Sequence, residues 1–337
     1  MAGLSQDQVV SRMSPAVSKA MLSKYEKGQS LPDSTRLISL AKALGVAVDY
    51  FFQTPTLELE KVEFRKKSRL GAKEQERILT WVAEQASRYL ELESLTGTLR
   101  PFENPQAGVG IQGFEDVEQA AIQLREHWQL GLNPIPNVLE LLEEVGIKVF
   151  EVEADKRFDG LSAWIGESPV IAINASFDAV RKRFTALHEL GHLLLNFSPE
   201  LEEQVEPLCH TFANAFLIPK PVFLRAFGQQ QAGRRHKVAV EELKGIKAIY
   251  GISIQALMKR AQQLQLITYQ TYRQFNIYLN TAGLRENEPG YYQGEEQPKR
   301  FRQLLFRAAA EELITMSKAA VLGSMTLQEF RKDFVVL

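Results

Sequence analysis

The pentapeptide His188-Glu189-Leu190-Gly191-His192 constrains this chain more than any other stretch. On a helix, positions i and i+4 share a face, so both imidazoles can reach one ion. Leu187, Leu190, Leu193, Leu194 and Leu195 supply an apolar packing face for such a helix. Imidazole nitrogens with one carboxylate oxygen suit zinc, and a catalytic zinc site keeps one position open for water. Glu189 falls beside that open position, where it can accept a proton from the bound water. One Zn2+ per chain is expected, with His188 and His192 as ligands and Glu189 as the catalytic base.

The third ligand should come from a following helix. Glu206 leads, 14 residues after His192 in Glu206-Pro207-Leu208-Cys209-His210. His210 competes, one helical turn further on; its other roles would be a partner behind the ligands or a donor to the oxyanion. Arg183 and His236 are further oxyanion candidates. Cys209 reads as a small buried residue, because a thiolate ligand would close the site and make it structural.

Composition sets the frame. The formal net charge of −1 excludes a polycationic nucleic-acid binder, so any such contact must come from a local patch. Cys209 is the one cysteine, so no intrachain disulfide can form, which fits a cytoplasmic protein. No signal peptide and no stretch apolar enough to span a membrane is evident, so no membrane partner is expected.

Along the chain, residues 1–53 read as short helices closing a small core with Val46, Val48, Phe51 and Phe52. Residues 54–69 look extended, with a basic run at 61–69 that reads as a solvated linker. A long amphipathic helix is expected over 72–95. The Gly-, Pro- and Asn-rich segment 96–115 marks the main boundary. Helices follow from Glu118 and from Pro136, then strands at 147–152, 161–165 and 170–174, the last two joined as a hairpin by Gly166-Glu167-Ser168-Pro169. The strand at 170–174 could be the edge that holds an extended peptide. A final helix is expected near 301–318. The fold class is mostly α with a small β-sheet (α+β).

The stretch Arg183-Phe184-Thr185-Ala186-Leu187-His188-Glu189-Leu190-Gly191-His192-Leu193-Leu194-Leu195 resembles the core motif of the ImmA/IrrE metallopeptidases. The block from Glu206 to Pro219 is similar to that family's second motif. Phe158-Asp159-Gly160-Leu161-Ser162 and the strand at 170–174 also match, over roughly residues 115–265. The resemblance implies a zincin-like domain with His188, His192 and Glu206 as metal ligands. It also implies a protein substrate, namely a transcriptional repressor of the Xre type.

Residues 1–53 resemble a Cro/repressor-type (Xre) helix-turn-helix, through Gly3-Leu4-Ser5-Gln6, the run from Val17 to Gly28 and the run from Leu37 to Val46. The resemblance makes the helix from Ser18 the recognition helix. Ser18, Lys19, Ala20 and Ser23 would face base edges, and Lys19, Lys24 and Lys27 would meet phosphates. Six basic residues against four acidic ones leave +2 on this head. The family pattern has a whole helix before Gly3, and here Met1 stands two residues earlier, so the head is expected to lack it and to bind DNA weakly. Pro15 and Ala16 look inserted in the turn and would tilt the recognition helix.

The expected organisation is a helix-turn-helix at 1–53, a basic linker and long helix at 54–114, the zinc peptidase at 115–275 and a helical extension at 276–337. The function this implies is a site-specific endopeptidase acting on repressors, coupled to DNA-binding regulation; homodimerisation stays open. The alternative is a regulator or antitoxin-like DNA-binding protein whose peptidase-like domain is a sensor or an interaction module.

Overall fold

The computed structural model describes residues 4–46, 48, 51, 58–64, 70–228, 234–285 and 287–335. Phe52, most of the expected linker at 54–69, and Gly3 lie outside the described residues. Residues 1–57 with 71–84 form one compact unit, and residues 58–70 with 85–337 form another. The division therefore does not fall at 96–115.

The first unit holds three short helices, α1 (Gln6–Arg12), α2 (Lys19–Glu26) and α3 (Ser34–Leu44). Each starts at a side chain that satisfies free helical N–H groups. Ser5 and Gln8 form a capping box, Ser18 Oγ accepts from the Met21 amide, and Asp33 accepts from the Arg36 amide. Gly45, at φ +71, closes α3 in the left-handed region that favours glycine. Val9, Met13, Val17, Leu22, Leu40 and Ala43 make the core, with Leu44 and Phe51 packed against it.

The long helix α4 (Ala72–Leu95) covers the span its amphipathic pattern predicts. In the second unit follow β1 (Glu60–Phe64), β2 (Gly110–Ile111), α5 (Phe114–His127), α6 (Val138–Glu144), β3 (Lys148–Val152), β4 (Gly160–Ile165), β5 (Ser168–Asn174) and α7 (Ala179–Leu194). After these come β6 (Asn196–Phe197), α8 (Val205–Leu217), α9 (Lys220–Ala226), α10 (Val240–Tyr250), α11 (Ile254–Gln263), α12 (Tyr269–Thr281), α13 (Arg300–Ala310), α14 (Met316–Leu322) and α15 (Leu327–Asp333). The expected final helix at 301–318 is thus broken between α13 and α14. No described helix is long and apolar enough to cross a membrane.

The main sheet runs β1-β4-β5-β3, with β3 parallel to β5 and the other neighbours antiparallel. The β4–β5 hairpin turns at Gly166-Glu167, and Gly166 has φ +57, as a tight turn requires. Two expectations are corrected here. The strand at 170–174 is an inner strand between β4 and β3, not an edge. The segment read as a solvated linker contributes β1, which pairs along β4. The reason is legible afterwards: β5 is buried at six of its seven positions, as a central strand must be.

Residues 96–115 are also not a free boundary. The Asn104 side chain donates to the Leu194 carbonyl at 3.1 Å, and β2 pairs in parallel with β6, tying this segment to the end of α7.

The region after α12 is anchored through buried ions. Arg183 on α7 pairs with Glu296, and Glu296 accepts from the Val138 and Leu139 amides at the start of α6. Gly251 ends α10 at φ +58, and a Cβ there would stand 2.8 Å from Arg183 Nε, so both backbone and space demand glycine. Lys148 on β3 meets Glu93 of α4 at 2.8 Å with both side chains buried, and Arg300 reaches the same carboxylate at 3.1 Å. Those contacts fasten the second half of α4 and the start of α13 to the sheet.

Candidate metal centre

Helix α7 lies against β4 and β5 with α8 on its other side. Asp178 caps its start by accepting from the Arg181 amide. Its inward stripe of Ala186, Leu187, Leu190 and Leu194 is buried in the main core, and truncating one such leucine to alanine typically costs about 2–5 kcal/mol. That packing fixes the helix's rotation and thereby the direction of the two histidines between the leucines.

Helix α8 comes unusually near. A Cβ on Gly191 would stand 3.2 Å from Cys209 Sγ and 3.4 Å from Cys209 Cα, so the glycine of the pentapeptide is what lets the two helices close up. Cys209 is buried in this contact, as a small apolar residue would be. The approach brings the first turn of α8 over the histidines, and Glu206 lies in that turn.

The result is a convergent cluster. His188 Nε2 and His192 Nε2 are 3.2 Å apart. Glu206 Oε2 is 3.4 Å from His188 Nε2, and Glu206 Oε1 is 3.6 Å from His192 Nε2. Two ligands about 2.1 Å from a tetrahedral ion are separated by roughly 3.4 Å, so these spacings fit a single zinc-sized cation, and the two-nitrogen, one-carboxylate set fits its chemistry. Among the described residues this is the one group of three or more such side chains that could hold a metal ion. The helix N-terminus beside Glu206 favours its negative charge.

His210 does not join that group. Its ring lies on His188, with centroids 4.3 Å apart, and stacks on Phe184 at 5.6 Å. It packs the back of the site. His188 Nδ1 is buried with no hydrogen-bond partner among the described residues, so packing holds the ring. Arg183 is also removed from the oxyanion candidates. It is 1% exposed and spends its guanidinium on Glu296, on Tyr292 Oη at 2.8 Å and on the Ile135 carbonyl at 2.7 Å. His236 is exposed beside Arg235, which bridges to Ile267, and is not in the metal-ligating group.

Glu189 is 2% exposed and faces β4. A Cβ on Gly160 would stand 3.2 Å from Glu189 Cγ, 2.9 Å from Thr185 Cγ2 and 3.1 Å from the Ala172 carbonyl oxygen. Two residues that the sequence leaves without a role build this contact. Gly160 provides the space, and Asn174 holds the loop before it. The Asn174 amide nitrogen donates to the carbonyls of Ala154, Asp155 and Phe158 at 3.3, 3.0 and 2.9 Å, which locks the entry to β4. An asparagine ending an apolar strand was the available signal.

A family model described as IrrE N-terminal-like domain matches residues 142–262, which contain the whole cluster. This stretch is an IrrE-like metallopeptidase domain. A second model, described as helix-turn-helix, matches residues 1–51. The chain is also 30% identical over 105 residues to the radiation response metalloprotease IrrE of Deinococcus radiodurans. That alignment covers 26% of this chain and 32% of the relative, so the chain spans just under a third of the length of the curated relative it matches.

In the helix-turn-helix domain, Ser18, Lys19 and Ala20 are exposed at the start of α2, Lys24 is exposed in its last turn, and Ser23 is half-buried. Ser18 is the cap of α2, not a residue within it. Lys19 Nζ is 2.8 Å from Asp7, in an exposed pair of the kind worth little in water.

Proposed function

We propose that the chain is a zinc-dependent endopeptidase that cuts a protein substrate of the Xre-repressor type, with its helix-turn-helix domain directing it to DNA in the cytoplasm. The observation carrying this reading is the convergence of His188, His192 and Glu206 with Glu189 on the next position of the same helix.

Bound zinc polarises a carbonyl oxygen and lowers the pKa of an adjacent water. A carboxylate oxygen of Glu189 takes a proton from the attacking water as the new C–O bond forms. The same oxygen returns the proton to the amide nitrogen as the C–N bond breaks. Packing against Gly160 limits where the Glu189 side chain can go, which keeps the base oriented.

The test compares zinc-loaded wild type with Glu189→Gln against Xre-type repressors. Gln is nearly isosteric and cannot accept the proton, so cleavage should fall by about 10² to 10⁴ with zinc retained. Equal cleavage by both would remove Glu189 from the mechanism. A zinc-loaded wild type that cuts none of these proteins would favour the sensor reading.

A further inference from the structure

We propose that Gln263 is a positioning residue for the metal centre, acting through Thr211 and the Pro207 carbonyl to set the tilt of the helical turn that carries Glu206. The role presupposes His188, His192 and Glu206 as ligands, and metal affinity rather than cleavage tests it.

Two hydrogen bonds in series carry the effect. Gln263 Nε2, at the end of α11, donates to Thr211 Oγ1 at 2.8 Å. Thr211 Oγ1 donates in turn to the Pro207 carbonyl at 3.0 Å, one turn back along α8. Pro207 is the neighbour of Glu206, so the second bond ends on the turn that holds the third ligand. A threonine bonded back to the carbonyl four residues earlier bends its helix, and here the bend falls between Glu206 and the rest of α8. Thr211 is buried, and a hydroxyl that accepts one bond while donating another is polarised, so the Gln263 bond strengthens the one on Pro207.

That turn has need of such support. α8 starts without a side-chain cap, running straight on from a 3₁₀ turn at Pro199–Gln204. Cys209 against Gly191 sets how near α8 comes to α7, but not how its first turn is tilted. Metal bonds tolerate errors of only about 0.2 Å, so a small tilt of Glu206 is felt at the ion. The support is itself anchored. In the turn of α11 before Gln263, Arg260 is fully buried with both terminal nitrogens on Glu118 of α5, at 2.6 and 3.0 Å.

Stability alone does not account for a glutamine here. Its Oε1 is buried with no hydrogen-bond partner among the described residues, and an unsatisfied buried acceptor opposes folding. A leucine would fill much the same space and remove that cost. What the glutamine contributes is the single bond from its Nε2.

The experiment uses the full-length chain and three measurements: zinc affinity by competition with a chromogenic chelator, the visible absorption of the Co2+-loaded protein, and urea unfolding of the metal-free protein. Gln263→Leu and Thr211→Val should each weaken zinc binding by about tenfold, the lower end of what is lost with a residue that orients a ligand. Thr211→Ser keeps the hydroxyl and should keep the wild-type affinity. The double variant Gln263→Leu/Thr211→Val should bind zinc no more weakly than Thr211→Val, because both bonds are links of one chain. The cobalt bands should shift in the two weakened variants and not in Thr211→Ser, while the metal-free unfolding midpoint of Gln263→Leu stays at the wild-type value. A lowered midpoint with unchanged zinc affinity and unchanged cobalt bands would make Gln263 merely structural and overturn the proposal. If Gln263→Leu does not fold, the Thr211 pair decides, and equal zinc affinities of Thr211→Val and Thr211→Ser overturn it. Either of those results leaves the peptidase reading standing. A zinc-loaded wild type that cuts no protein, with the variants ordered as expected, removes the peptidase reading and keeps the positioning role.

Discussion

Gly160 and Glu189 are in contact to the point that a single methyl group would not fit between their elements: the Cβ would stand 3.2 Å from Glu189 Cγ and 2.9 Å from Thr185 Cγ2. Gly160→Ala must therefore push α7 from β4 or twist Glu189. Overpacking of this kind costs about 1–3 kcal/mol. The expected outcome is a measurable loss of stability by urea unfolding, with cleavage falling further than zinc content. A variant as stable and as active as wild type would mean that the strand and helix yield freely.

Metal content should separate the three residues of the cluster from His210. His188→Ala and His192→Ala should lose zinc, and Glu206→Ala should reduce occupancy, because each removes one of three converging atoms. His210→Ala should keep most of the metal, since its ring packs on His188 and Phe184 without entering the group. Metal analysis after dialysis reads this directly; zinc lost from His210→Ala and kept by Glu206→Ala would reverse the assignment.

The convergence of His188 and His192 was legible in the sequence because their spacing is a helical one, and a helix fixes geometry from sequence alone. Glu206 was only the leading candidate against His210, because its position depends on how near α8 comes to α7, and that is set by Gly191 against Cys209. The hairpin was legible through its turn. The order of the sheet was not: four charged or polar letters around Val62 look like linker, and pairing to β4 depends on main-chain groups that every residue has. The roles of Arg183 and Glu296, 113 residues apart, could not be read at all.

The Arg183–Glu296 pair gives a third expectation. Both side chains are buried, and Glu296 also accepts from the Val138 and Leu139 amides. Glu296→Ala leaves a buried guanidinium without its counter-charge and the Val138 and Leu139 amides without their acceptor, although Asn137 still caps α6. Loss of one partner from a buried pair costs about 3–5 kcal/mol. Replacing both partners together with apolar residues should cost less than the single change. Chemical unfolding of the single and double variants checks this, and a double variant worse than Glu296→Ala would contradict it.

Burial pushes the Glu143 carboxyl above the usual carboxylate range, against the Arg300 and Lys299 amides and the Tyr89 hydroxyl that favour the ion. The folded state thus holds this proton more tightly than the unfolded chain. Its contribution is complete below the unfolded value of about 4.3 and is lost as pH rises through the higher folded value. Relative to Glu143→Gln, wild type should therefore lose stability as pH rises from that value towards neutrality. Parallel urea titrations across this window test the sign; a relative gain by wild type with rising pH would overturn it.

The helix-turn-helix domain offers two substitutions with different signatures. Ser18 Oγ accepts from the Met21 amide and starts α2, so Ser18→Ala should cost about 1 kcal/mol of stability in this domain. It should weaken DNA binding only as far as it frays the helix. Lys24 is exposed on the same helix and caps nothing, so Lys24→Ala should leave stability within about 0.5 kcal/mol. If Lys24 meets a phosphate, its loss removes one released counterion, and the slope of log affinity against log salt should fall in magnitude by about 0.9. Binding would weaken alike for every sequence tested, because phosphate contacts carry no base information. Lys19 shares its charge with Asp7 and should give a smaller change in slope than Lys24. Fluorescence anisotropy with one duplex at four salt concentrations measures all three variants. An unchanged slope for Lys24→Ala, with wild-type binding well above background, would move the DNA-facing surface away from this side of α2.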